Sequence, residues 1–411
     1  MHAHNRPATG DAMMTSPHQV RPAVPLVGPL GTGLMLLTCV LLMGGVAFYL
    51  AWPAEKLPGP KALIDFQVFH IAGQLAWAGD LATAYDAQRF WAHTRALTGN
   101  PGHMFWPYPP HFNLFTALLA LLPLWLSYLV FCGGSLLCYM LTLRRLAGVH
   151  YGTVLALLFP SLLLCIFIGQ NALLIGALVG WLASLALSGR TLAGVPLGLL
   201  TVKPQFLPGI GLYLLLRGHW RIIFSGALVA GLALAAATLL FGLRVWPDFF
   251  AVMGNVSAHL FDGRYQYFRM TSLFAALFVA TKDPQLAMAA QIGLVVVLAG
   301  GLLLAGRRGW PPRQLLAAAI MSSTLMSPYG YDYDLPVVGA AIALLMPDLV
   351  LQDRRSWLGL LLLAWLACLT GALTRLALAP PLPAVQFVPV LLLCTALLVL
   401  SRRRPASVES D

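Results

Sequence analysis

Long apolar runs separated by short polar islands set the rhythm of this chain, and no stretch alternates residue by residue as a membrane barrel would. The runs fall at 30–51, 124–143, 151–168, 170–188, 192–202, 205–216, 222–243, 285–305, 313–328, 333–348, 357–377 and 384–400. A helix needs about 20 apolar residues to cross roughly 30 Å of hydrocarbon. The pattern therefore predicts an all-α polytopic membrane protein with about 12 transmembrane helices. The runs at 192–202 and 205–216 are short for a full crossing and predict broken or re-entrant helices, as does 111–122. Phe112–Leu122 and Thr271–Ala280 are expected to lie as short interfacial helices on the extracytoplasmic side.

Composition agrees: of 411 residues, 59% are hydrophobic and 9% charged, with a mean hydropathy of +0.80. The net charge of +11 does not point to nucleic acid, because the basic residues are scattered between runs in twos and threes. Topology signals and lipid head groups account for them better. Placing Arg144, Arg145, Arg190, Arg217, Arg221, Arg307, Arg308, Arg313, Arg354, Arg355 and Arg402 to Arg404 on the cytoplasmic side puts both termini inside. Residues 1–29 and 402–411 then read as cytoplasmic tails, and 30–401 as one membrane domain of the cytoplasmic (inner) membrane with outer loops at 52–110 and 244–284. The six cysteines lie in apolar runs without CxxC spacing and read as packing residues.

That orientation gathers every remaining polar cluster on the outer side: the interlude 52–110, Gly169-Gln170-Asn171, Lys203-Pro204-Gln205, the loop from Arg244 to Arg269, and Ser327 to Asp334. Converging segments suggest an active site, while polar residues of any polytopic protein also gather in loops. Lys203, inside an apolar stretch and followed by a proline that frees backbone groups, fits a cavity wall; snorkelling to the interface is the other reading. Asp65, just past the first run with Val68 and Phe69 on its helix face, is a carboxylate at a membrane edge and the chosen carrier of chemistry, with capping or ion pairing as the alternative. Asp332 and Asp334 share a direction only if their segment is extended and diverge on a helix.

Taken together, the early Asp65, Trp106 to Pro110, the Gly-Gln-Asn turn at 169–171, Lys203-Pro204-Gln205 followed by Arg217, Trp220 and Arg221, and Ser327 to Leu335 resemble glycosyltransferase family 87 over nearly the whole chain beyond the first 29 residues. The resemblance implies a GT-C-type bundle and transfer of a sugar from a polyprenyl-phosphate donor to a lipid or glycan acceptor hydroxyl, with inversion, at the outer face. Asp65 matches the family's catalytic carboxylate and is assigned as general base. Lys203, with Arg264 and Arg269 from the outer loop, is expected to bind the donor phosphate, although arginines among aromatics also form interface belts. His70, Tyr108, Gln170, Asn171, Gln205, Tyr329, Tyr331, Asp332 and Asp334 are the expected sugar or acceptor contacts. For His70 a structural role, and for Tyr108 fixing of the turn, stand beside that reading. Mannose-specific members tend to carry histidines where this chain has Tyr329, Gly330 and Tyr331, which leaves the donor sugar open.

No HExxH, P-loop, GxSxG or zinc spacing is present, so no cofactor and no metal site is expected, with three outer acids leaving a divalent cation open. The partners expected are the donor, the acceptor and membrane lipids, and no nucleic acid. A lipid-linked glycan ligase or polymerase is the nearest alternative. A secondary transporter is the more distant one, since it would show internal repeats and midplane polar residues.

Overall fold

A computed structural model describes residues 25–53, 62–102, 104–262, 265–376 and 386–402, with side chains of 370–376 not described. Arg264, one of the expected phosphate ligands, lies outside the described residues, as do residues 1–24 and 403–411 of the tails. Among the described residues the chain is helical, with one isolated bridge between Met270 and Tyr331 as its extended pairing.

In order, the α-helices are α1 (Pro29–Ala51), α2 (Asp65–Trp77), α3 (Leu81–Ala84), α4 (Ala87–Thr98), α5 (Phe112–Leu119), α6 (Leu124–Ala147), α7 (Tyr151–Leu157), α8 (Phe159–Ile168), α9 (Ala172–Leu187), α10 (Gly194–Leu199), α11 (Pro208–Leu216), α12 (Trp220–Phe241), α13 (Val245–Phe261), α14 (Leu273–Thr281), α15 (Pro284–Arg307), α16 (Pro312–Met326), α17 (Pro336–Leu349), α18 (Arg354–Leu376) and α19 (Phe387–Arg402). Every apolar run of the sequence is occupied by one or two of these helices. Among the described residues, four stretches are long and apolar enough to cross a membrane: α1, the continuous unit Leu124–Leu157, α12 and α15.

Three differences from the sequence pattern stand out. The run 151–168 is two helices, α7 and α8, meeting at Leu158 just before Pro160, whose missing N–H fits the first turn of α8. The stretch 244–284, expected as an outer loop, contains a full helix, α13, with Phe249, Met253, Val256 and Leu260 on one stripe. The polar interlude 52–110 likewise contains α4, capped by Asp86, whose carboxylate accepts from the Arg89 N–H at 2.9 Å.

The break at Lys203 follows from local chemistry. Pro204 disfavours helical backbone at the residue before it. Lys203 accordingly adopts φ −130° and ψ 72°, between short 3-10 turns at Leu200–Val202 and Pro204–Phe206. The amides freed at the start of α11 are met from α16, where Ser323 Oγ accepts from Gly209 N at 2.9 Å and Ile210 N at 3.2 Å.

The bundle has two distinct ends. At one, the C-termini of α8 and α16 meet the N-termini of α2, α9 and α17. At the other lie the arginines: Arg145 donates to Ser184 at 2.7 Å, and Arg313 pairs with Asp348 at 2.9 Å beside Gln314 and the last residues of α19.

Candidate active site

The first end of the bundle encloses a cavity of about 1060 Å³. Asp65 opens α2 and reaches it from below an aromatic cluster that fixes this helix. Phe66 stacks on Phe131 at 5.5 Å, and Phe69 meets Trp106, Tyr108 and Phe112 edge-on at 5.3 to 5.8 Å. Gln67 reaches back to accept from the Ile64 N–H at 3.0 Å, closing the start of the helix.

The Asp65 carboxylate accepts a 2.5 Å hydrogen bond from Gln170 Nε2. Gln170 is placed by the end of α8: Gly169 takes the left-handed conformation at φ +70°, and the Gln170 N–H then bonds back to Cys165 O at 2.9 Å, closing a Schellman turn. Gln170 Oε1 in turn accepts from Tyr108 at 3.4 Å. Burial pushes the Asp65 pKa above its ordinary value, opposed by the Gln170 hydrogen bond and by the charges of Arg269 and Lys203.

Two cations share this cavity with Asp65, and each is held by an acid from a single 3-10 turn. Lys203 Nζ pairs with Asp334 Oδ1 at 2.8 Å, and Arg269 pairs with Asp332 at 2.9 and 3.2 Å. The turn Asp332–Asp334 is why the two acids diverge. Asp334 also accepts from Tyr331 N and Asp332 from Tyr333 N, while Ser161 on α8 donates to the Asp332 carbonyl at 2.7 Å. The Arg269 segment is tied to the same turn, because Thr271 N donates to Gly330 O at 2.8 Å. Lys203 Nζ lies 5.5 Å from the centroid of the Tyr333 ring and the Arg269 guanidinium 5.4 Å from it. Tyr331 stacks on that ring at 5.1 Å, nearly parallel.

Part of the cavity lining is apolar. The α13 stripe of Phe249, Met253, Val256 and Leu260 contributes to it together with Leu234 of α12, and Trp91 and Phe105 pack beside His259 of the same helix. Such a cavity offers one carboxylate without a cation in hydrogen-bond contact, two cations, tyrosine rings, and a greasy side (Asp65 among the described residues).

Most expected contacts are brought together: Asp65, Tyr108, Gln170, Lys203, Gln205, Arg269, Tyr329, Tyr331 and Asp334 all border the cavity. Three are not. His70 points away, its Nε2 bonded to Leu122 O at 2.9 Å and facing a separate groove, because five positions along a helix turn it from Asp65. Asp332 sits behind Arg269 rather than on the cavity, and Asn171 is wholly buried at the start of α9. Missed by sequence reasoning were Tyr333, His111 and Thr201, which also border it. Tyr333 lies in the Ser327–Asp334 segment, whose acids and tyrosines suit sugar hydroxyls, without being singled out there, whereas nothing in the spacing of His111 and Thr201 signals that they meet.

Among the described residues, no three His, Cys, Asp or Glu side chains converge as metal ligands would. A family model, glycosyltransferase family 87, matches residues 106–328. The chain belongs to glycosyltransferase family 87. The match spans more than half the chain but is narrower than the resemblance drawn from the motifs, for Asp65 precedes it and the Tyr329–Asp334 segment follows it. No curated protein and no solved structure matches. Membership makes this an enzyme that transfers a sugar from a donor to an acceptor, and its all-α build with several long apolar helices is that of a membrane protein.

Proposed function

We propose that this member of family 87 transfers a sugar from a polyprenyl-phosphate donor to a lipid or glycan acceptor hydroxyl, with inversion, at the outer face of the cytoplasmic membrane. One observation carries the reading: Asp65 and the cations Lys203 and Arg269 border the same cavity, part of whose lining is apolar. In the reaction the acceptor oxygen attacks the anomeric carbon while Asp65 takes the hydroxyl proton. The bond from that carbon to the phosphate oxygen breaks, and its electron pair leaves with polyprenyl phosphate. The leaving group gains a negative charge, which Lys203 as a point charge and Arg269 as a fork are suited to meet. Gln170 orients the base, and a single in-line displacement inverts the centre.

The apolar stripe of α13 with Leu234 suits the isoprenoid portion of such a donor. The outward orientation is supported by the arginines at the far end of the bundle, since basic ends stay cytoplasmic. Purified protein in lipid, given polyprenyl-phosphate sugars one at a time with candidate acceptors, tests the reading. Transfer that is lost in Asp65→Asn while donor binding persists supports it. Full activity of Asp65→Asn removes the assigned base, and transfer from a nucleotide sugar alone removes the donor class.

A further inference from the structure

His111, which precedes α5 after Pro109 and Pro110, is a buried imidazole that the reaction above does not use. Its Nε2 lies 3.2 Å from Thr201 Oγ1. The Thr201 hydroxyl has one proton, and the 2.6 Å bond to Gly198 O takes it. Thr201 Oγ1 can therefore only accept from His111, which puts the ring hydrogen on Nε2 and leaves Nδ1 as a bare lone pair.

That Nδ1 is buried with no hydrogen-bond partner among the described residues. An unpaired polar atom of this kind costs about 1 to 3 kcal/mol, so a persistent one points to a partner that arrives with a ligand. Burial also pushes the His111 pKa down to about 4, so the ring is neutral at physiological pH and Nδ1 carries no proton. His111 and Thr201 both border the cavity, and Lys203 stands two positions beyond Thr201. A sugar whose phosphate lies at Lys203 is held in the cavity that His111 also borders.

We propose that His111 Nδ1 is a binding site for one hydroxyl of the donor sugar, which donates its proton to the imidazole lone pair. This rests on the polyprenyl-phosphate reading above. The site selects among sugars: a hydroxyl in the right place satisfies Nδ1, and a sugar lacking it leaves the lone pair buried and unmet.

The test uses full-length protein in lipid nanodiscs and farnesyl phosphate esters of mannose, glucose and galactose, with farnesyl phosphate as reference, by calorimetric binding. The tightest ester is then compared with its monodeoxy analogues on the wild type, His111→Asn and His111→Gln. Asn places an acceptor oxygen near the position of Nδ1, whereas Gln reaches toward Thr201 and leaves no acceptor there. The expected result is one analogue bound about three- to tenfold more weakly by the wild type, a penalty kept in His111→Asn and abolished in His111→Gln. Thr201→Val, which keeps the ring but frees both tautomers, is expected to shrink the same penalty and serves if either His111 variant fails to fold. Equal penalties in wild type and His111→Gln, or a penalty kept in Gln and lost in Asn, overturn the proposal in favour of a purely structural link to Thr201. Esters that bind no better than farnesyl phosphate overturn it together with the donor reading, a different outcome from esters that bind but ignore His111.

Discussion

Lys203 and Asp334, 131 positions apart, close a 2.8 Å ion pair whose side chains are almost wholly buried. Two broken segments are thereby pinned to each other at the cavity, the proline-induced gap before α11 and the tight turn before α17. A buried pair of this kind is costly to break because the survivor keeps an unpaired charge. Lys203→Met is expected to destabilise the protein by roughly 3 to 5 kcal/mol, and the double variant Lys203→Met with Asp334→Leu to recover part of that loss. Thermal unfolding of the three proteins in one detergent checks this; a double variant less stable than either single one contradicts it.

The pH profile should carry the mark of Asp65. Its folded pKa is raised, chiefly by burial, so the ionised base is lost on acidification through a midpoint above the ordinary carboxylate range, and turnover falls below that point. The Gln170 hydrogen bond works in the other direction, holding the pKa down. Gln170→Leu should therefore move the acid limb of kcat to higher pH, and Asp65→Asn should flatten the profile at background rate. An acid limb that moves down in Gln170→Leu would show that the bond favours the protonated form.

Tyr333 is expected to hold the two cations rather than touch the reacting atoms. Both charges lie within 5.5 Å of its ring centroid, where a desolvated cation gains up to about 2 kcal/mol from an aromatic face. Tyr333→Phe keeps the ring and should stay near wild type. Tyr333→Leu should raise the donor KM about tenfold with a much smaller change in kcat. Steady-state kinetics with varied donor separates the two; identical defects in Phe and Leu would assign the effect to the hydroxyl.

Gly169 governs two site residues without bordering the cavity. Its φ of +70° costs an L-residue about 1 to 2 kcal/mol, and a methyl group there would run into the Cβ of Phe66, the neighbour of Asp65. Gly169→Ala should therefore lower the unfolding temperature and reduce kcat together, since Gln170 and α2 are displaced at once. Retained kcat with lowered stability would mean that the site tolerates movement of this turn.

How much of this was legible beforehand depends on which physical signal each feature leaves. Helix positions were readable because apolar length is a strong signal, and the gap at Lys203 because proline acts on its own neighbour. The placement of Asp65, Gln170, Lys203 and Asp334 in one cavity followed from gathering polar islands. Which way a side chain turns was not readable. In helices apolar on every side, periodicity names no inner face, so His70 seemed adjacent to Asp65 yet packs against Leu122. The contact of His111 with Thr201, 90 positions apart, is set by tertiary packing that no local pattern records. The amphipathic stripe of α13 was present in the sequence, and its placement in a polar loop hid it.

That stripe separates two tasks that many enzymes entangle. Phe249, Met253, Val256 and Leu260 belong to one helix that contributes no charged partner to Asp65, Lys203 or Arg269. Exchanging bulk along it would resize the compartment while leaving proton and phosphate handling untouched, so substrate range can drift in natural or laboratory evolution without rebuilding the reaction centre.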